Sequence, residues 1–146
     1  MYGSTSMVLP DGKILVAGSN TNYYYNFTGV KYPTELRVKK FCPPYFDPLL
    51  ISDRLVITSY YKGKMVKYRG YIVVEFKLKK AKVDQSNLKV TMYSLSQPMK
   101  LENVESEFFR VEVVAPPSAE IAHPGFYLIF VVHNGVLSSG IWVQIA

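Results

Sequence analysis

The sequence predicts an all-β protein, because of its composition, the spacing of its apolar runs and the lack of helical periodicity. Its 146 residues include 12 tyrosines and 8 phenylalanines, which favour pleated sheets. From about Leu55 onwards, short apolar runs recur at the spacing of a β-sandwich, and no stretch shows a 3.6-residue period. A chain of this length can bury a core as one domain, or as one domain with an additional piece.

The first strands are predicted from a hairpin signal and from alternation. Two apolar runs, Ser6–Pro10 and Lys13–Ala17, are joined by Asp11-Gly12, a pair that favours a hairpin because the turn needs a positive φ. Leu36–Phe41 alternates apolar with basic residues and predicts a half-exposed strand. Pro43-Pro44 ends that strand.

The later strands follow at short intervals and predict a second structural unit. A linker begins at Asp47-Pro48, so we expect two parts, residues 1–47 and residues 50–146. The predicted strands of the second part are Leu55–Thr58, Tyr71–Leu78, Leu88–Tyr93, Phe109–Val114, Phe126–Val132 and Gly140–Ile145. Turns at Pro124-Gly125 and Asn134-Gly135 precede and follow the long apolar strand.

The net charge of +6 comes mainly from a basic stretch between Lys62 and Lys89. Such a stretch is typical of a solvated sheet face, and the alternative is attraction to an acidic polymer. No nucleic-acid motif with suitably spaced aromatic residues accompanies it, and no apolar run is long enough to span a bilayer. We therefore expect neither nucleic acid nor a membrane as a partner.

A single cysteine, Cys42, excludes an intrachain disulfide and is expected to be a packed free thiol. The first residues do not resemble a signal peptide, because polar residues follow Met1 at once. The localisation of the chain is therefore left open by its own sequence.

Two stretches indicate a family. The first reads MYGSTSMVLPDGK (residues 1–13); the second reads VVAPPSAEIAHPGFY (113–127) and continues as SGIWVQI (139–145). Both resemble the C-terminal part of the plant glyoxal oxidase-like, galactose oxidase-type radical-copper oxidases. The resemblance covers nearly the whole chain; it is also specific at Asn26–Pro44 and is weak from Lys62 to Lys89.

The resemblance implies a fold and an origin. In this secreted family a seven-bladed β-propeller precedes an immunoglobulin-like, early-set β-sandwich. Residues 1–47 would match a remnant of the last propeller blade, and residues 50–146 the early-set domain. Met1 would correspond to an internal position of the family, so we expect a truncated chain.

The same resemblance implies that the copper ligands are missing. Tyr2 matches the axial tyrosine ligand of the family, but Gly3 stands where the family has a ligand histidine. The second ligand histidine belongs to the stretch that reads Met92–Met99 here, and no histidine precedes His123. The radical tyrosine and its cysteine partner would lie in blades upstream. We therefore expect no catalytic, cofactor-binding or metal-binding residues, although copper serves the parent family.

Other candidate residues carry weaker signals. His123 and His133 lack an accompanying acid or thiol pattern and are expected at a turn or a cap rather than on a metal. Asn26-Phe27-Thr28 is a glycosylation sequon that matters only in a secretory compartment. Tyr23-Tyr24-Tyr25 is expected to pack a loop over the propeller end, and the alternative is stacking on sugar rings.

These observations favour a truncated, non-catalytic domain with a structural or binding role. Its partner would be a propeller domain supplied upstream, or carbohydrate. One alternative is a fragment of a secreted copper-radical oxidase that converts aldehydes or alcohols and releases H2O2. Another is a carbohydrate or cell-wall binding module that uses the lysine-rich face and the tyrosines. Genomic sequence upstream of Met1 would separate a fragment from a stand-alone domain.

Overall fold

The computed structural model describes residues 3–60, 65–78, 85–93, 97–99 and 109–146. It divides into two compact units, Met1–Pro44 and Tyr45–Ala146. The first unit holds one three-stranded sheet, and the second holds two sheets. Within the described residues the only helical elements are the 3-10 turns Pro44–Phe46, Pro48–Asp53 and Gln85–Asn87. The predicted all-β class is confirmed.

The first unit is an antiparallel sheet of β1 (Thr5–Val8), β2 (Ile14–Ser19) and β3 (Glu35–Phe41), with β2 in the middle. The predicted hairpin joins β1 to β2. Leu9 N donates to Lys13 O and Gly12 N donates to Leu9 O, both at 2.8 Å. Gly12 has a φ of 85°, which suits the last position of a three-residue hairpin loop.

The prediction that β3 is half-exposed is wrong. Every residue of β3 after Glu35 is exposed, including Leu36, Val38 and Phe41. The physical reason is that β1, β2 and β3 form a single layer, and no second layer lies among the described residues of this unit. Alternation in the sequence gives the two faces of the strand but does not show whether either face is covered.

In its described residues the second unit has eight strands in two antiparallel sheets. The smaller sheet has the order β4-β5-β8. In the larger sheet, β9 lies between β6 on one side and β10 and β11 on the other, and β7 pairs with β6. The strands are β4 (Val56–Tyr60), β5 (Tyr71–Lys77), β6 (Leu88–Tyr93), β7 (Gln97–Met99), β8 (Phe109–Val114), β9 (Gly125–His133), β10 (Val136–Leu137) and β11 (Ile141–Ile145).

Alternate residues of the two sheets build one shared core, as a β-sandwich requires. Val74 and Phe76 of β5 and Val111 of β8 belong to the same buried cluster as Ile129 of β9. The Phe76 ring stacks on the partly buried Phe109 with 5.7 Å between centroids. Burial alternates along β5, β8 and β11, and the chain contains the predicted sandwich.

Strand β9 is buried on both of its faces. Ile129 belongs to the core between the sheets, so its neighbours Leu128 and Phe130 face the opposite side. Both are nevertheless buried. Tyr93 meets Phe130 edge-on at 5.7 Å, and Gly140 lies so close that a Cβ there would be 2.8 Å from two atoms of the Phe130 ring.

A parallel bridge joins the early and late parts of the second unit. Val66 pairs with Ile145 in parallel orientation. Val66 N donates to Gln144 O at 2.8 Å, and Ala146 N donates to Val66 O at 3.1 Å. The sequence contains no signal for this pairing, which extends the larger sheet beyond β11.

Candidate functional site

The first candidate position is Gly3, where the resemblance places a ligand histidine. Its φ is +71°, in the left-handed region, and an added Cβ would lie 2.8 Å from Asn20 O and 3.4 Å from Asn20 N. Side chains do not tolerate an approach below about 3.0 Å to rigid backbone. The backbone here therefore requires glycine, which offers no side-chain donor. Tyr2 lies outside the described residues.

The second candidate stretch, Met92–Met99, contains a pairing between two strands. Met92 of β6 lies opposite Gln97 of β7, and the Met92 side chain is buried in the sandwich core. Residues 94–96 lie outside the described residues. The stretch contains no histidine.

The two histidines lie in different environments. His123 is exposed in the turn before β9, whereas His133 is buried at the end of β9. The expected position at a turn fits both residues, since His133 ends β9 directly before the Asn134-Gly135 turn. His133 is nevertheless buried, because β9 runs through the middle of the larger sheet. In the described part of the chain, no group of three or more histidine, cysteine, aspartate or glutamate side chains is placed to hold a metal ion.

Two tyrosine hydroxyl groups donate hydrogen bonds to the turn between β8 and β9. Tyr127 donates to His123 O at 2.5 Å, and Tyr68 donates to Ala122 O at 2.7 Å. Burial, with a smaller contribution from Tyr68, raises the pKa of Tyr127 above its usual value. A tyrosine near a strand start that bonds back to the preceding turn is typical of immunoglobulin-like sandwiches. The sequence analysis did not predict these two hydrogen bonds, although a tyrosine two residues after the Pro124-Gly125 turn could have indicated the one made by Tyr127.

The charged pairs of the first unit are local and exposed. Lys40 Nζ lies 2.6 Å from Asp11 Oδ2, and its hydrogen bond lowers the pKa of Asp11. Arg37 pairs with Glu35 and lowers the pKa of Glu35 to about 2. Carboxyl groups held ionised in this way are poorly suited to donate a proton near neutral pH.

The loop between β2 and β3, residues 20–34, is called the tyrosine loop here. Its large aromatic side chains are exposed, from 55% for Phe27 to 91% for Tyr23. Asn26, the sequon residue, is half-buried in this loop, and its Oδ1 accepts from Thr28 N at 3.4 Å. The structure thus places the sequon and the tyrosine run side by side.

The remaining candidates are dispersed. Cys42 is exposed rather than packed, because it follows β3 at an uncovered edge. The described cations of the basic stretch are exposed, as a solvated face requires: Lys67, Arg69, Lys77 and Lys89. The other lysines of that stretch, at positions 62, 64, 79, 80 and 82, lie outside the described residues. Among the residues described, no helix is long and apolar enough to cross a bilayer.

Comparison with protein families gives two matches that together cover most of the chain. Residues 1–45 match the family described as Glyoxal oxidase N-terminus. Residues 54–145 match the Galactose oxidase-like, Early set domain. The second match covers the sandwich, and the first covers the three-stranded sheet.

Similar proteins include plant aldehyde oxidases. Aldehyde oxidase GLOX1 of Arabidopsis thaliana is 44% identical over 99% of this chain, which corresponds to 26% of that protein. Aldehyde oxidase GLOX of Vitis pseudoreticulata is 34% identical over 99% of the chain and 30% of its own length. The chain therefore spans less than a third of these relatives.

A solved structure shares the fold. A fungal alcohol oxidase of the AA5 family, determined in complex with copper, aligns with 99% of this chain and 31% of its own, with a TM-score of 0.69. The sequence identity is 17%, so this likeness bears on the fold alone.

Proposed function

We propose that this chain, which belongs to the glyoxal oxidase and galactose oxidase-like family, is a non-catalytic C-terminal portion with a structural role. The observation that carries the proposal is the geometry at Gly3. The resemblance assigns a ligand histidine to this position, and the backbone here leaves no room for a Cβ beside Asn20 O. Copper(II) in a mixed nitrogen and oxygen site depends on imidazole donors. The residues present therefore do not fit a copper centre.

The three-stranded sheet supports the structural part of the proposal. Across the sheet, Thr5, Ala17 and Val38 share one face, while Val8, Ile14 and Phe41 share the other. Both faces thus carry apolar residues, a pattern typical of a sheet covered on both sides. The partner we propose is a propeller domain that supplies a neighbouring β-sheet on each side, one covering Val38 and the other covering Phe41.

A second candidate function is that of a piece of a copper-radical oxidase acting on aldehydes or alcohols. The observation that favours it is the 44% identity with an aldehyde oxidase of Arabidopsis. Under this alternative, the other residues of the active site would belong to a part of the protein that lies outside this sequence. Gly3 would provide no ligand in either case, so the two functions differ in whether a copper site and oxidase activity arise once the rest of the protein is supplied.

Copper titration tests the proposal. We expect Cu(II) to bind weakly, through exposed donors such as His123, and to be removed by a mild chelator. Electron paramagnetic resonance should then show an adventitious signal that decreases in the His123→Ala variant. No peroxide should form from methylglyoxal or galactose.

The opposite result is equally specific. A stoichiometric mixed nitrogen and oxygen signal that resists the chelator and survives His123→Ala would contradict the non-catalytic assignment. Peroxide formation by the chain after copper loading would contradict it as well.

A further inference from the structure

The tyrosine loop presents its aromatic rings to solvent, whereas Asn22 and Asn26 are half-buried and Thr34 is buried. Tyr23, Tyr24 and Tyr25 are 91%, 76% and 71% exposed, and Tyr32 and Phe27 are 61% and 55% exposed. Large aromatic side chains usually bury most of their surface. Several exposed rings along one short loop form a patch of the kind that marks a binding site.

Hydrogen bonds within the loop fix its backbone. Asn20 Oδ1 accepts from Asn22 N at 3.1 Å and from Thr34 Oγ1 at 2.9 Å. Thr34 in turn bonds Asn26 twice, through its hydroxyl at 2.9 Å and its backbone N at 2.6 Å. Asn22 Nδ2 donates to Tyr32 O at 3.0 Å. A loop held in this way loses little conformational entropy on binding.

The rings lie in two pairs that follow one another along the chain. Tyr23 and Tyr24 meet edge-to-face at 4.7 Å, and Tyr25 and Phe27 lie 6.4 Å apart at a tilt of 44°. Tyrosine side chains lose few rotamers when a ligand covers them, and they combine an apolar ring with a hydroxyl. The four rings thus offer both stacking surface and hydrogen-bonding groups.

The charge of the loop identifies the class of ligand. Residues 20–34 contain no acid and one base, Lys31, whose Nζ lies 5.3 Å from the Tyr32 ring centroid. Nucleic acids and acidic polysaccharides are bound through several cations, which this loop lacks. An uncharged ligand with flat C–H faces and many hydroxyl groups suits exposed tyrosines and amides. Chains of β-1,4-linked glucopyranose have these properties, because their hydroxyl groups are equatorial and the axial C–H groups leave both faces of each ring apolar.

We propose that the tyrosine loop binds a neutral, β-linked polysaccharide by stacking sugar rings on Tyr23, Tyr24 and Tyr25. This binding does not depend on the structural role proposed above. It involves neither copper nor oxidation of the sugar.

Calorimetric titration of the full chain with cellohexaose tests the proposal. We expect saturable binding that weakens at least about tenfold when Tyr23, Tyr24 and Tyr25 are all replaced by serine. The three tyrosine-to-phenylalanine replacements should keep most of the affinity, because stacking needs the ring and not the hydroxyl. Tyr71→Ser is the matched control, since Tyr71 is also exposed but lies on β5 of the second unit; it should bind like the unaltered chain.

Several outcomes would overturn the proposal. These are no binding of cellohexaose, an equal loss in Tyr71→Ser, and a loss in the phenylalanine variant as large as in the serine variant. A dimer that the serine replacements dissociate would make the loop a protein contact instead.

Discussion

Replacing Gly140 by alanine should destabilise the sandwich, although the added group is a single methyl. Gly140 precedes β11, and its φ lies outside the left-handed region, so its backbone accepts alanine. The obstacle is space. The new Cβ would lie 2.8 Å from Cε1 and Cζ of Phe130 and 2.9 Å from Cδ1 of Leu128.

The expected magnitude follows from those distances. Carbon atoms in contact prefer a separation of about 3.5–4.0 Å, so each of the three contacts is short by roughly 0.6 Å or more. Phe130 and Leu128 are buried and cannot swing into solvent. Overpacking destabilises the folded state by about 1–3 kcal/mol. Replacing glycine by alanine also lowers the conformational entropy of the unfolded chain, which stabilises the protein by about 0.4–1 kcal/mol. The net loss lies between about 0 and 2.6 kcal/mol, with a midpoint of about 1.3 kcal/mol, and the midpoint lowers the Tm of a domain of this size by roughly 5–10 °C.

Urea unfolding followed by the fluorescence of the single tryptophan measures this loss. Trp142 lies on β11, so its signal reports on the second unit. Gly125→Ala is the matched control, because an added Cβ there meets nothing closer than His123 O at 4.0 Å. It should leave the midpoint unchanged or raise it slightly.

A double replacement identifies the cause. Phe130→Leu removes Cε1 and Cζ, so the Gly140→Ala change should cost less in that background than in the unaltered chain. If Gly140→Ala unfolds at the same urea concentration as Gly125→Ala, the close packing described here is refuted. Strict additivity of the two changes would show that crowding against Phe130 is not the reason for the loss.

Three further predictions concern the core, the pH dependence and a surface pair. Tyr127→Phe should cost about 1 kcal/mol by removing a buried hydrogen bond. The pKa of Tyr127 is raised above its usual 10.0, so its contribution to stability is full below pH 10 and is lost as the pH rises through the folded pKa. The phenylalanine variant should therefore lose less stability than the unaltered chain as the pH rises above 10, measured by urea midpoints. Phe76→Ala should lower the free energy of unfolding by about 3–5 kcal/mol, measured by thermal unfolding. Lys89→Ala, on the exposed side of β6, should change it by less than about 0.5 kcal/mol. Equal losses would mean that the basic face is covered. Lys40→Met should raise the pKa of Asp11 towards its usual 3.8, as followed by NMR titration, and an unchanged pKa would mean that the pair does not form in solution.

The sequence predicted those parts of the fold in which one face of a strand is apolar and the other polar. Alternation in β5 separated Val74 and Phe76 from Glu75 and Lys77, and the structure places the first two in the core. It could not assign the faces of β9, because a continuous apolar run has no alternation. The sequence therefore did not show that Phe130 faces away from the core between the sheets.

The candidate site was predicted in its residue types and not in its geometry. The sequence shows that Gly3 is not a histidine, but only the structure shows that the backbone leaves no space beside Asn20 O. Likewise, the sequence did not show that the tyrosine rings are exposed in this chain, or that hydrogen bonds among Asn20, Asn26 and Thr34 hold the loop backbone. Such bonds join residues far apart in the loop, and no local pattern indicates them.

The parallel bridge between Val66 and Ile145 has a consequence for how the protein folds and how it is degraded. The two residues are nearly eighty positions apart, so this pairing raises the contact order of the sandwich and slows its folding. The larger sheet can gain its final edge only after residues 141–146 have been synthesised. Loss of those residues by proteolysis would break the pairing with β9 and with Val66 together. A single cleavage before β11 would therefore remove two contacts that lie far apart in the sequence.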